Sequence, residues 1–125
     1  MYAAGAEHPY KKPCVRLLEK LARAPAAHQY CTNTEVLQEI LHRYRSINRG
    51  RQGIELFDAV VNLNLVIYPV ELRDLKIARQ ILFELPQIST RDAVHLGVAA
   101  RRNVKNIVSY DRDFDIQQGV QRVEP

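Results

Sequence analysis

The residues best placed to do chemistry are aspartates. Asp92 opens an apolar helical run within Ser89-Thr90-Arg91-Asp92-Ala93-Val94-His95, and Asp111 follows the strand-like run Ile107-Val108-Ser109-Tyr110. Asp113 and Asp115 come directly after, in Asp111-Arg112-Asp113-Phe114-Asp115. In a doubly wound α/β fold, ligands bind in the crevice outside the carboxyl ends of the strands, which the starts of neighbouring helices also face. Carboxylates brought there by separate elements are the donors that Mg2+ or Mn2+ takes, in preference to zinc. Two of them ~4 Å apart repel by about 4 kcal/mol at an effective dielectric near 20, so both stay ionised only with a cation between them. Asp111 is the strongest ligand candidate of its run because it lies closest to the strand's end, and Ser109 offers a supporting hydroxyl.

Each of these residues also has a plainer role. Asp92 stands three residues after Ser89, where an acidic side chain helps cap a helix and suits its dipole. Aspartates are common in turns because they bond nearby backbone N–H groups. Glu35 has capping-box spacing from Thr32, and Glu39 stands four residues before Arg43, an ordinary helical ion pair. Glu35 and Glu39 share a helix face, which is mildly unfavourable without a cation or good solvation. His95 lies one turn beyond Asp92, within reach of the site, but core or surface placement is the better account of it. There is no glycine-rich phosphate loop, nucleophile elbow or Cys/His zinc pattern.

The elements that must position these groups alternate between helix and strand. Val15, Leu18, Leu21 and Ala22 mark a first helix entered past Pro9 and Pro13, and residues 28–32 read as a short strand. A helix is expected over 33–47 on Val36, Leu37, Ile40, Leu41 and Tyr44, then a polar loop over 48–53 and a helix over 54–62. A buried strand over 63–70, a helix over 74–85 stopped by Pro86, the Ser89-capped helix, a strand over 106–110 and a short edge strand over 120–123 complete the order. Such alternation predicts an α/β fold, three layers with a parallel sheet covered by helices on both faces.

At 125 residues and 46% hydrophobic content the chain suits one domain over 1–125. No apolar run approaches a membrane span, and no membrane partner is expected. Cys14 and Cys31 have no metal-ligand spacing and suit small, reduced, buried residues of a cytoplasmic protein. A net charge of +4 is a mild bias toward polyanions. Arginine dominates the cations, and its fork suits phosphate oxygens as well as solvated helix faces.

Three segments together resemble a PIN domain, in particular the VapC-like toxins of bacteria and archaea. They are Thr32-Asn33-Thr34-Glu35-Val36-Leu37-Gln38-Glu39-Ile40-Leu41, Ser89-Thr90-Arg91-Asp92-Ala93-Val94-His95-Leu96 and Val108-Ser109-Tyr110-Asp111-Arg112-Asp113-Phe114. The resemblance places the family's helix glutamate on Glu39, its helix-opening aspartate on Asp92, and its Asp/Asn after the strand on Asp111. Asp113 falls on a further acidic position, and Ser109 stands where the family commonly has threonine. Tyr2-Ala3-Ala4-Gly5 resembles the start of the family's first helix. The implied activity is Mg2+- (or Mn2+-) dependent endoribonucleolytic cleavage of RNA. The implied partner is a VapB-type antitoxin whose tail blocks the crevice. Homodimers are common in the family, though no stretch here marks such an interface.

The family's first strand is central in its sheet and ends in Asp-Thr/Ser-Asn, whose aspartate is a metal ligand. That strand is missing from the given sequence. The expectation is therefore a PIN fold with an incomplete acidic cluster, which leaves the activity of the chain as written an open question and predicts that it folds poorly. Either Met1 is internal to a protein that starts upstream, or the chain is a genuine truncation. Two other functions compete: a degenerate, non-catalytic PIN module that binds RNA or a protein partner, and a different doubly wound phosphoryl-transfer domain.

Overall fold

The computed structural model describes residues 9, 11–23, 30–116 and 119–125, without the side chain of Ile116. The expected start of a helix at Tyr2–Gly5 and the front of the strand expected over 28–32 lie outside the described residues. The chain divides into two compact units, Met1–Tyr68 and Pro69–Pro125. Both are built from helices and short parallel strands.

The first unit holds α1 (Lys11–Arg23), β1 (Cys31–Asn33), α2 (Thr34–Ser46), α3 (Gly50–Val61) and β2 (Val66–Tyr68). β1 and β2 pair in parallel, with Cys31 opposite Val66 and Asn33 opposite Tyr68. Asn33, not Thr32, caps α2: its side chain accepts a hydrogen bond from the Val36 amide at 3.2 Å. Thr32 lies inside β1, so the expected Thr32–Glu35 capping box does not form. The strand runs into the helix without a spare residue, and the last strand residue becomes the cap. Leu37, Ile40 and Tyr44 form the buried stripe of α2.

α2 ends in a Schellman motif. Asn48 adopts the left-handed conformation (φ 59°) and donates to the Arg45 carbonyl at 3.1 Å, while Arg49 donates to Tyr44 at 2.8 Å. α3 then begins at Gly50, four residues before the expected Ile54, and takes in most of the stretch read as a loop. Packing on α2 explains why. A Cβ on Gly53 would meet the Tyr44 Cβ at 2.6 Å, so this glycine serves close helix approach and not a turn. Neither cysteine is buried: Cys14 is intermediate and Cys31 exposed, and both are free.

The second unit holds α4 (Leu72–Glu84), α5 (Thr90–Arg101), β3 (Asn106–Val108), a 3-10 turn (Arg112–Ile116) and β4 (Gln121–Val123). Asp74 caps the start of α4, where its Oδ2 accepts from the Glu71 amide at 2.8 Å. It has no exposed surface, and Arg101 from the end of α5 donates to its Oδ1 at 2.5 Å and also pairs with Glu71. Burial by itself would raise the Asp74 pKa, but the Arg101 hydrogen bond, the Glu71 amide and the charges of Arg101 and Arg102 together lower it. A Cβ at Gly97 would collide with the Asp74 carbonyl, so α5 can lie this close to α4 only with glycine there. Ala78, Ile81, Ile88, Ala93, Val94, Leu96 and Phe114 form the core of this unit.

α5 repeats the Schellman ending: Asn103 (φ 58°) donates to Ala100 at 3.2 Å, and Val104 to Ala99 at 2.8 Å. That sharp stop sends the chain straight into β3, which pairs in parallel with β4, Asn106 opposite Gln121 and Val108 opposite Val123. The single sheet expected from the sequence is thus, among the described residues, two parallel pairs. No helix among these residues is long and apolar enough to cross a membrane.

Candidate metal centre

Asp92 reaches its place through the cap of α5. Ser89 is extended (φ −69°, ψ 154°), and its Oγ accepts from the Asp92 amide at 3.1 Å, which fixes the first helical turn. Ala93 and Val94 face the core on the following positions and hold the helix in register. Asp92 is half-buried at the edge of this packing, next to the exposed loop that leaves β3.

That loop is built from side chain–backbone bonds. The Ser109 Oγ accepts from the Asp111 amide at 3.0 Å, and the Asp111 Oδ1 accepts from the Asp113 amide at 2.9 Å. The second bond is an Asx-type turn that starts the 3-10 segment. Phe114, buried in the core of the unit, anchors this segment from beneath while Asp111 and Asp113 remain exposed.

One carboxylate oxygen from each of Asp92, Asp111 and Asp113 lies within 4.8 Å of the other two. The Asp92 pKa is raised, chiefly by burial and then by the negative charges of Asp111 and Asp113. A hydrogen bond from Ser89 and the proximity of His95 oppose this without cancelling it. The three side chains therefore form an oxygen-only donor set whose ionised state is electrostatically unfavourable alone. A hard divalent cation would relieve that repulsion, and an oxygen-only donor set suits such an ion.

Asp92, Asp111 and Asp113 lie together, and the Ser109 hydroxyl accepts from the Asp111 amide. Asp115 points to a different partner, the Nε of Arg122 on β4, at 2.9 Å. Glu39 lies half-buried on α2 in the first unit. Sequence reasoning missed Arg122, whose guanidinium also donates to the Ser109 carbonyl at 3.1 Å and to Glu124 at 3.1 Å. An arginine on a short edge strand has no periodic or motif signal that would single it out.

Comparison with known proteins matches residues 1–118 to the PIN domain. The chain is 39% identical over 123 residues to a VapC ribonuclease of Mycobacterium bovis, covering 98% of this chain and 92% of the relative. Ribonuclease VapC13 of Mycobacterium tuberculosis matches with the same identity and coverage, 39% over 98% of this chain and 92% of its own length. Ribonuclease VapC23 of the same species is 32% identical over 113 residues, covering 89% of this chain and 86% of the relative. No solved structure matches the chain.

Proposed function

The chain belongs to the PIN domain family, and we propose that it is an Mg2+- or Mn2+-dependent endoribonuclease acting as the toxin of a toxin–antitoxin pair. The convergence of Asp92, Asp111 and Asp113 within 4.8 Å carries this reading, supported by the ribonuclease names of its relatives. Asp92, Asp111 and Asp113 would hold the ion. When bound, it supplies Lewis-acid polarisation of a phosphodiester and a lowered pKa for an attacking water.

The protein's own part is positional and electrostatic. Ser89 and the core-facing residues of α5 hold Asp92 at a helix start. Ser109 orients the backbone that presents Asp111, and the Asx turn sets Asp113 beside it. Glu39 is assigned a ligand role by family resemblance alone, and Glu39→Gln tests that assignment separately. The partner fitting this role is a VapB-type antitoxin, whose tail would cover the acidic cluster and keep RNA from it. The expected setting is the cytoplasm.

The test is cleavage of a mixed single-stranded RNA by the purified full chain. Cutting with Mg2+ or Mn2+, none with EDTA, and none by Asp92→Asn at unchanged circular dichroism are the expected results. RNA binding without cutting under all metal conditions would favour the non-catalytic module. Cleavage by Asp92→Asn at the wild-type rate would remove the acidic cluster from the chemistry.

A further inference from the structure

We propose that Arg122 is a positioning residue that clamps the Ser109–Asp115 loop and thereby sets Asp111 and Asp113 for cation binding. The inference rests on the metal-centre reading above and extends it to a residue outside the acidic cluster. Three contacts carry it. From β4, the Arg122 guanidinium donates through Nη1 to the Ser109 carbonyl at 3.1 Å and through Nε to Asp115 Oδ1 at 2.9 Å. These two acceptors are the two ends of the loop, with Asp111 and Asp113 between them. A third bond, to Glu124 at 3.1 Å, orients the guanidinium from its own side.

Within the loop Asp111 and Asp113 are exposed, while Phe114 is buried in the core of the unit. The internal bonds, Asp111 amide to Ser109 Oγ and Asp113 amide to Asp111 Oδ1, set local shape but do not tie the loop to the sheet. Arg122 and the backbone bond from the Ser109 amide to the Val123 carbonyl at 2.9 Å make that tie. The side chain of Arg122 is only 13% exposed, so its fork meets less competition from water than a surface pair. Arginine suits the task because a planar fork reaches separate acceptors at once, whereas a lysine ammonium is a single point.

Charge and geometry predict opposite outcomes, which makes the proposal testable. If Arg122 acted only through its charge, removing that charge would tighten cation binding at the neighbouring aspartates. If it acts as a clamp, removing it loosens the ligand loop and weakens binding. Outer partners of metal ligands typically account for 10–100-fold in affinity.

The experiment is calorimetric titration of the full chain with MnCl2 at pH 7, with circular dichroism recorded on each variant. Arg122→Gln is expected to bind Mn2+ about tenfold more weakly than wild type, at the low end of the range for such outer partners. Arg122→Lys, which keeps the charge but can reach one acceptor at a time, should fall between the two. If Arg122→Gln does not fold, Arg122→Lys decides: affinity equal to wild type overturns the clamp. Binding by Arg122→Gln as tight as wild type, or tighter, overturns it too. Absence of Mn2+ binding by the wild type, or undiminished binding by Asp92→Asn, would instead overturn the metal-centre reading and this proposal with it.

Discussion

Asp92→Asn should make the metal-free protein more stable at pH 7, although it abolishes metal binding. Asp92 has a raised pKa in the folded state because burial and then Asp111 and Asp113 disfavour its charge. A carboxyl with a folded pKa above its unfolded value stabilises the fold below the unfolded pKa, and that contribution is lost as pH rises through the folded pKa. At neutral pH the ionised carboxylate is therefore a liability without a cation. One of its oxygens lies within 4.8 Å of one on Asp111 and one on Asp113. With both neighbours exposed, a near-aqueous dielectric gives about 1 kcal/mol of repulsion from each. The helix dipole returns ~0.3–1 kcal/mol to an acidic residue in the first turn. The net gain on neutralising Asp92 is then about 1 kcal/mol, or roughly 3–6 °C in Tm for a chain of this size. Thermal unfolding followed by circular dichroism should show Asp92→Asn melting above wild type in EDTA. With Mn2+ at about 100 times its Kd, wild type should gain about 2.7 kcal/mol and reverse the order, while the variant gains little. A variant that melts below wild type in EDTA would show that the carboxylate serves mainly as a helix cap, and the repulsion argument would fail.

Other perturbations address the framework around the site. Removing the Asp74 partner by Arg101→Met leaves a buried carboxylate short of its main partner and should cost about 3 kcal/mol by urea denaturation; because Asp74 has a lowered pKa, its contribution is present above the unfolded pKa and lost as pH falls through the folded one, so the wild-type advantage should shrink on acidification. Gly53→Ala forces a methyl against Tyr44 and should destabilise by about 1–3 kcal/mol, measured the same way; an unchanged midpoint would mean α2 and α3 can separate without cost. Ser89→Ala removes the cap of α5 and should cost about 1 kcal/mol, with weaker Mn2+ binding because Asp92 loses its fixed first turn; full retention of Mn2+ affinity would show that core packing alone positions Asp92.

The parts of the fold legible in the sequence were those written in local pattern. Leu37, Ile40 and Tyr44 mark one helix face, Ser89 marks a cap, and Pro86 marks a stop. The Asp92, Asp111 and Ser109 arrangement was legible because each lies at the end of an element that its neighbours define. What local pattern could not show were relations between elements. Gly50 and Gly53 resembled a loop because glycine is costly inside a helix, yet Gly53 is required by the approach of α3 to Tyr44. Strand spans indicated parallel pairing but not which strands pair, since three-residue strands carry no order in their periodicity. The Asp74–Arg101 and Asp115–Arg122 pairs bridge 27 and seven positions. Each pair joins two different elements, so no repeat within one element marks it.

The two readings of Asp92 also turn out to be compatible, for a physical reason. Ser89 supplies the cap acceptor for the Asp92 amide, so the Asp92 carboxylate is not needed as the cap, although Ser89 also bonds to it. A helix start favours negative charge through its dipole, and so partly offsets the cost of gathering Asp92, Asp111 and Asp113 in one place. The remaining cost, visible as the raised Asp92 pKa, is what a divalent cation would remove on binding. A serine at the cap followed three residues later by aspartate is thus a sound way to begin a helix and to present a ligand. Only the second element, the Ser109–Asp115 loop held by Arg122, separates those outcomes: without it Asp92 would be an ordinary helix-start acid, and with it three carboxylates stand close enough to repel one another.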